Sequence, residues 1–200
     1  LNSKGTVEVN LPNKLTLMRM ILIPIFTLVL ALGWPAGTIV LLGTKVAVAR
    51  LIAVIIFIVA SLTDFADGQI ARRNHLVTNF GKFADPLADK LLVMTAFIFL
   101  AVAGQVPAWG VAIILWRELA VTGLRLLLAN GGEVLAAAWP GKIKTTSQMF
   151  AIIFLLVNNA GFNALHFPLA TILFYVAVFF TIYSGVEYFY KNRSVFSDSF

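Results

Sequence analysis

Six apolar stretches divide this chain at nearly even intervals, and they leave few folds open to it. They run over 16–34, 46–66, 87–104, 107–129, 144–161 and 168–190. A helix that crosses a bilayer needs roughly 20 apolar residues. Hydrophobic residues make up 60% of the 200, about 120 in all, enough for about six crossings. Charged residues make up only 12%, roughly half of a soluble domain's share, and the mean hydropathy is +0.92. A soluble globule of this size has too little polar surface to cover so much apolar material. The expected fold class is therefore all-α, a polytopic integral membrane protein of six transmembrane helices.

Turn chemistry separates the stretches. Gly33-Trp34-Pro35-Ala36-Gly37 ends the first, Gly104-Gln105-Val106-Pro107 makes a tight return between the third and fourth, and Asn158-Asn159-Ala160-Gly161 ends the fifth. Asn130-Gly131-Gly132 and Pro140-Gly141 bracket the link before the fifth. Cytoplasmic loops of membrane proteins collect Lys and Arg. With helix ends alternating, one side receives Lys4, Lys14, Arg19, Arg72, Arg73, Lys82, Lys90, Arg125, Lys142, Lys144, Lys191 and Arg193, and the other only Lys45 and Arg50. Arg117 lies inside the fourth stretch. This asymmetry predicts an even number of helices with both termini cytoplasmic. It also accounts for the net charge of +6 without nucleic acid, since the basic segments lack aromatic stacking runs. There is no Cys, which excludes disulfides and thiolate chemistry. A basic start before an apolar run invites a signal-peptide reading, but Arg19 interrupts the run and cleavage is not expected. Trp34, Trp109, Trp139 and Tyr188 fit interfacial aromatic belts. His75 is read as solvated, His166 as lying on the far side with no partner pattern, and Pro24 as a kink in the first helix.

Charge in an apolar chain points to function, and it concentrates between residues 64 and 89. Asp64 and Asp67 are three apart and Asp85 and Asp89 four apart, so each pair shares one helix face. About 17 residues separate the pairs, enough for a helix end, a short loop and a return that sets them face to face. Four converging carboxylates repel one another unless cations offset them. Oxygen-only ligation suits Mg²⁺ or Mn²⁺, and four carboxylates suffice for two such ions flanking a phosphoryl transfer. Gly68 and Ala71 share a face. They fit either close approach of a ligand to the backbone or close helix packing. Arg72 fits either a forked phosphate contact or a basic loop.

The full spacing is Asp64, two residues, Asp67-Gly68, two residues, Ala71-Arg72, eight residues, Gly81, three residues, Asp85, three residues, Asp89. It resembles the signature of the CDP-alcohol phosphotransferase family, with every position filled. The resemblance implies a six-helix membrane enzyme, usually a homodimer, that moves a phosphatidyl-type group from a CDP-linked donor to an alcohol and releases CMP. It implies that Asp64, Asp67, Asp85 and Asp89 hold two divalent cations, and that Asp89 is the general base. A pure ligand role for Asp89 stays open. It also implies that Gly68, Ala71, Arg72, Gly81 and Asn13 bind CDP-diacylglycerol.

The acceptor must be chosen elsewhere. Arg117, Arg125, Lys142 and Lys144 can form a cationic pocket for a phosphorylated alcohol, and the competing reading makes Arg117–Glu118 structural and the lysines topological. The segments Trp116–Arg125 and Gly141–Thr145 resemble the branch of the family that uses sn-glycerol 3-phosphate. So do Leu11–Thr16 with Arg19, Asp85–Lys90 and Ser184–Phe189. The implied products are phosphatidylglycerophosphate and CMP, the committed step of anionic phospholipid synthesis, with those four cations on the acceptor's phosphate. The implied location is a bacterial inner or plasma membrane, with membrane lipids around the protein and the site on the cytoplasmic side. The resemblance covers 10–193. Residues 1–9 read as an inert polar extension and 194–200 as a tail. Rival readings are another acceptor (an inositol phosphate or phosphatidylglycerol), an intramembrane prenyltransferase, and a cation transporter using the carboxylates.

Overall fold

The computed structural model describes residues 11–33, 37–73, 79–130 and 139–193, without the side chains of 11–13, 64–73, 79–86, 126, 129 and 130. These residues form six α-helices: α1 (Leu11–Leu32), α2 (Val48–Arg73), α3 (Asn79–Val102), α4 (Ala108–Asn130), α5 (Trp139–Leu156) and α6 (Leu169–Lys191). Each falls on one of the six apolar stretches. Two are long and apolar enough to cross a membrane by length and composition, over Lys14–Leu32 and Leu169–Lys191.

The one departure from an all-α reading among the described residues is a two-stranded hairpin of β1 (Thr38–Leu41) and β2 (Thr44–Ala47), paired antiparallel from Thr38↔Ala47 to Leu41↔Thr44. Its cause is local. β-branched residues favour extended backbone, and the two-residue turn places both Leu42 and Gly43 at positive φ, 48° and 79°, as a type I′ turn requires. Val46 anchors the hairpin in the interior.

Two helix ends share one cap. Gln105 N–H donates to Leu100 O (3.0 Å) and Gly104 N–H to Ala101 O (2.9 Å), with Gly104 at φ 70°. Asn159 N–H donates to Phe154 O (2.7 Å) and Asn158 N–H to Leu155 O (3.1 Å), with Asn158 at φ 54°. Both are Schellman caps. The second corrects the expected end of α5. The helix stops at Leu156 and not at Gly161, because Asn, like Gly, tolerates the left-handed conformation.

The interior is a layer of interlocked apolar side chains. Phe26, Phe57, Phe97 and Phe174 are fully buried. Phe97 meets Phe174 edge-on at 5.7 Å, and Phe26 meets Phe57 at 6.2 Å. Helix α1 packs on α2 and α3, α4 on α6 and α3, and α5 along α6. At Gly110 an added Cβ would lie 2.8 Å from the Phe174 ring, so a glycine is what lets α4 approach α6. The outer surface is also apolar. Helix α6 buries Ala170, Ala177, Thr181, Ser184 and Gly185 and turns Ile172, Tyr175, Phe179, Ile182 and Val186 outward. The buried face also holds Phe174, Val178 and Tyr188, while the outward face is mostly large and apolar.

Opposite in character is a polar knot around Asn158. Its Oδ1 accepts from Arg50 Nη1 (2.5 Å) and Gln105 Nε2 (2.7 Å), and its Nδ2 donates to Lys45 O (3.0 Å). Asn163 Nδ2 donates to Thr44 Oγ1 at 3.1 Å. These bonds tie the hairpin to the α3–α4 return and to the segment after α5.

Candidate active site

The acidic motif is helical almost throughout. Helix α2 continues seven residues past the apolar stretch to Arg73, and α3 begins eight residues before the next one, at Asn79. Asp64, Asp67, Gly68, Ala71 and Arg72 therefore lie in the last turns of α2, and Gly81, Asp85 and Asp89 in the first turns of α3. Alanine, glutamine and arginine favour helix strongly enough to carry it beyond the apolar run. The face-sharing expected for each aspartate pair follows from this helical backbone. Among the motif carboxylates only the Asp89 side chain is described, and it is half-buried. The side chains of Asn13, Asp64, Asp67, Ala71, Arg72 and Asp85 lie outside the described residues, as does all of His75.

The described chemistry gathers where α3, α4, α5 and α6 meet. Glu118 is buried, 8% exposed, and its Oε1 accepts from Lys144 Nζ and from Arg117 Nη1 at 3.2 Å. Lys144 is buried as well. Arg117 Nη2 donates to Ser184 Oγ on α6 at 3.0 Å. One turn along α4, the Thr122 hydroxyl donates to the Glu118 carbonyl (2.5 Å) and accepts from Lys90 Nζ on α3. Another turn on, Arg125 Nε donates to the Tyr188 hydroxyl at 3.0 Å, with its guanidinium 5.2 Å from the ring centre. Asp89 lies within electrostatic reach of Lys90 and Lys144, and Arg125 within reach of Lys90 and Arg117.

The structure thus brings together three of the four cations expected to hold an acceptor, Arg117, Arg125 and Lys144. It sets Lys142 apart. Two residues on an α-helix are about 200° apart around the axis, so the exposed Lys142 faces a groove with Trp139, Phe150, Leu173 and Val176 while Lys144 points to α4. Tyr188 is buried beside Val121, Leu124 and Leu128, which corrects its reading as a belt residue. Trp109 and Trp139 are exposed, as a belt requires, and Trp34 lies outside the described residues. Sequence reasoning passed over Lys90, Thr122, Ser184 and Tyr188 as participants. Their signal was available for α4 alone, where Glu118, Thr122 and Arg125 follow i, i+4, i+7.

The cluster has spare capacity for an anion. Arg117 Nε is buried without a hydrogen-bond partner, an exception that calls for an acceptor. Four cations (Lys90, Arg117, Arg125, Lys144) stand against two carboxylates (Asp89, Glu118) among the described groups. The motif's donor set, carboxylates without sulfur, suits hard divalent cations.

A helical bundle with this acidic pattern on two consecutive helices and a cationic cluster beside it defines a class. The chain belongs to the CDP-alcohol phosphatidyltransferase family, whose sequence profile matches residues 9–183. It is 52% identical over 183 residues to the CDP-diacylglycerol–glycerol-3-phosphate 3-phosphatidyltransferase of Bacillus subtilis, covering 92% of this chain and 95% of that protein. It is 37% identical to the enzyme of the same name from Rickettsia bellii, covering 95% and 99%. To a probable phosphatidylglycerophosphate synthase of Mycobacterium tuberculosis it is 40% identical, covering 90% and 79%.

Proposed function

We propose that this protein transfers the phosphatidyl group of CDP-diacylglycerol to sn-glycerol 3-phosphate, giving phosphatidylglycerophosphate and CMP. The observation that carries the choice of acceptor is the pairing of Lys144 and Arg117 on the buried Glu118 carboxylate, with Arg117 Nε–H left without a partner. Relatives of the same length that bear this activity in their names support the reading.

In this reading Asp64, Asp67, Asp85 and Asp89 hold two Mg²⁺ or Mn²⁺ ions, which when bound offset the charge of the donor's diphosphate. Gly68, Ala71, Arg72, Gly81 and Asn13 bind the nucleotide donor. Arg117, Arg125 and Lys144 grip the acceptor phosphate, and Lys142, on another face of α5, stands apart from them. The acceptor's 1-hydroxyl gives its proton to Asp89 and attacks the phosphatidyl phosphorus. The new oxygen–phosphorus bond forms as the bond to the CMP oxygen breaks, and CMP leaves with that electron pair. Six membrane-spanning helices with cytoplasmic termini set the site at the boundary between a lipid donor and a water-soluble acceptor. The basic residues gathered on one side support that topology. The domain spans 10–193 and pairs as a homodimer.

The test is CMP release by detergent-purified protein given CDP-diacylglycerol, Mg²⁺ or Mn²⁺, and glycerol 3-phosphate. Release that requires all three is expected. Release with inositol phosphate or phosphatidylglycerol and none with glycerol 3-phosphate would overturn the choice of acceptor.

A further inference from the structure

Glu118 is a carboxylate in a site that we read as built for an anion, and alone it would repel the acceptor. Its surroundings give it another role. It lies at the junction of four helices and engages each of the others by a different route: α5 through its carboxylate and Lys144, α6 through Arg117 and Ser184, and α3 through its carbonyl, Thr122 and Lys90. Lys and Arg carry much rotamer freedom. Here two of them are held in one arrangement by a single oxygen, Oε1, which also keeps two buried like charges from repelling each other.

We infer that Glu118 is a positioning residue that fixes Lys144 and Arg117 in the geometry needed to receive a phosphate dianion, without touching substrate itself. This rests on the acceptor reading above. Glu118 lowers the cost of assembling the cations before the ligand arrives, so the phosphate meets a preorganised site.

The experiment uses the full chain in detergent and two readouts, the affinity for inorganic phosphate by thermal shift and the KM for glycerol 3-phosphate and for CDP-diacylglycerol. Glu118→Gln keeps the shape and one acceptor oxygen and removes the charge; Glu118→Asp keeps the charge on a shorter stem. Glu118→Gln is expected to weaken phosphate binding and raise the acceptor KM roughly tenfold, the scale of one charge-assisted hydrogen bond, with donor KM within about twofold. Glu118→Asp should recover part of the loss. In a Lys144→Met background the same Glu118→Gln change should have less effect, because one of the two residues it positions is gone. Unchanged or tighter phosphate binding in Glu118→Gln, or an equal loss in both backgrounds, would overturn the inference. If Glu118→Gln does not fold, Glu118→Asp and the double variant carry the same comparison. Weakened phosphate binding in a protein that releases no CMP with glycerol 3-phosphate would defeat the proposed acceptor and leave the role of Glu118 standing.

Discussion

Gly185→Ala is a small perturbation whose effect can be worked from the packing. An ideal Cβ at position 185 would lie 3.0 Å from Arg117 Cγ, where ordinary contact begins at 3.4 Å. The Arg117 stem must therefore move by about 0.4 Å. It has little freedom to do so, because its far end is pinned at 3.2 Å to Glu118 and 3.0 Å to Ser184. A hydrogen bond to a charged group is worth about 1.5–3 kcal/mol, and a partial loss of about 1 kcal/mol corresponds to about fivefold in affinity. The expected result is an acceptor KM raised about fivefold, with kcat and donor KM little changed. The helix itself should not suffer, since Ala is favoured over Gly in a helix interior by about 1 kcal/mol. Gly123→Ala serves as the control: nothing lies within 4 Å of its added Cβ, and its acceptor KM should match the parent's. The assay is CMP release against glycerol 3-phosphate concentration, with thermal midpoints in the same detergent. An unchanged acceptor KM in a stable Gly185→Ala protein would refute the assignment of Arg117 to the acceptor.

Four further outcomes follow from the same structure. Phe174→Ala removes a ring that is 1% exposed and edge-on to Phe97; it should cost about 3–5 kcal/mol, seen as a lower thermal midpoint in detergent. Asp89→Asn should abolish CMP release while leaving the midpoint near the parent's, and chelation of divalent cations should do the same until Mg²⁺ or Mn²⁺ is returned. Tyr188→Phe keeps the ring beneath Arg125 but removes the acceptor of its Nε–H; a rise of a few-fold in acceptor KM is expected, on the scale of about 1 kcal/mol, because Arg125 is exposed and water replaces part of the lost charge-assisted bond. Asn158→Ala strips Arg50 and Gln105 of a shared acceptor and should destabilise by about 1–3 kcal/mol with no change in acceptor KM, because it lies outside the cationic cluster.

The six helices were legible because each buries or exposes enough apolar surface to appear as a run in composition alone. The hairpin over 38–47 was not, since its strands are short and its turn uses Leu42, a residue that turn chemistry does not favour. The extensions of α2 and α3 past their apolar runs do not show in composition, because polar residues there look like helix ends. In the site, Arg117 and Lys144 were selected as rare charges in an apolar chain, and the structure brings them to one carboxylate. Lys142 stands only two positions from Lys144, yet the helix turns the two to different faces. Tyr188 carried no distinguishing signal: an aromatic residue near a helix end fits a membrane interface as well as it fits the support of a guanidinium.

The order of residues by itself determined the apolar class, the helix count and the spacing of four aspartates over 26 positions, because these follow from periodicity and composition along one dimension. It also determined the family, whose pattern is local. Only the tertiary structure decided which of the scattered cations act together. Lys90, Glu118, Lys144 and Ser184 come from four helices and are separated by up to 94 positions, and nothing along the chain links them. What joins them is the cost of burying charge in an apolar interior, which is relieved only when opposite charges and polar partners from different helices are packed to one point.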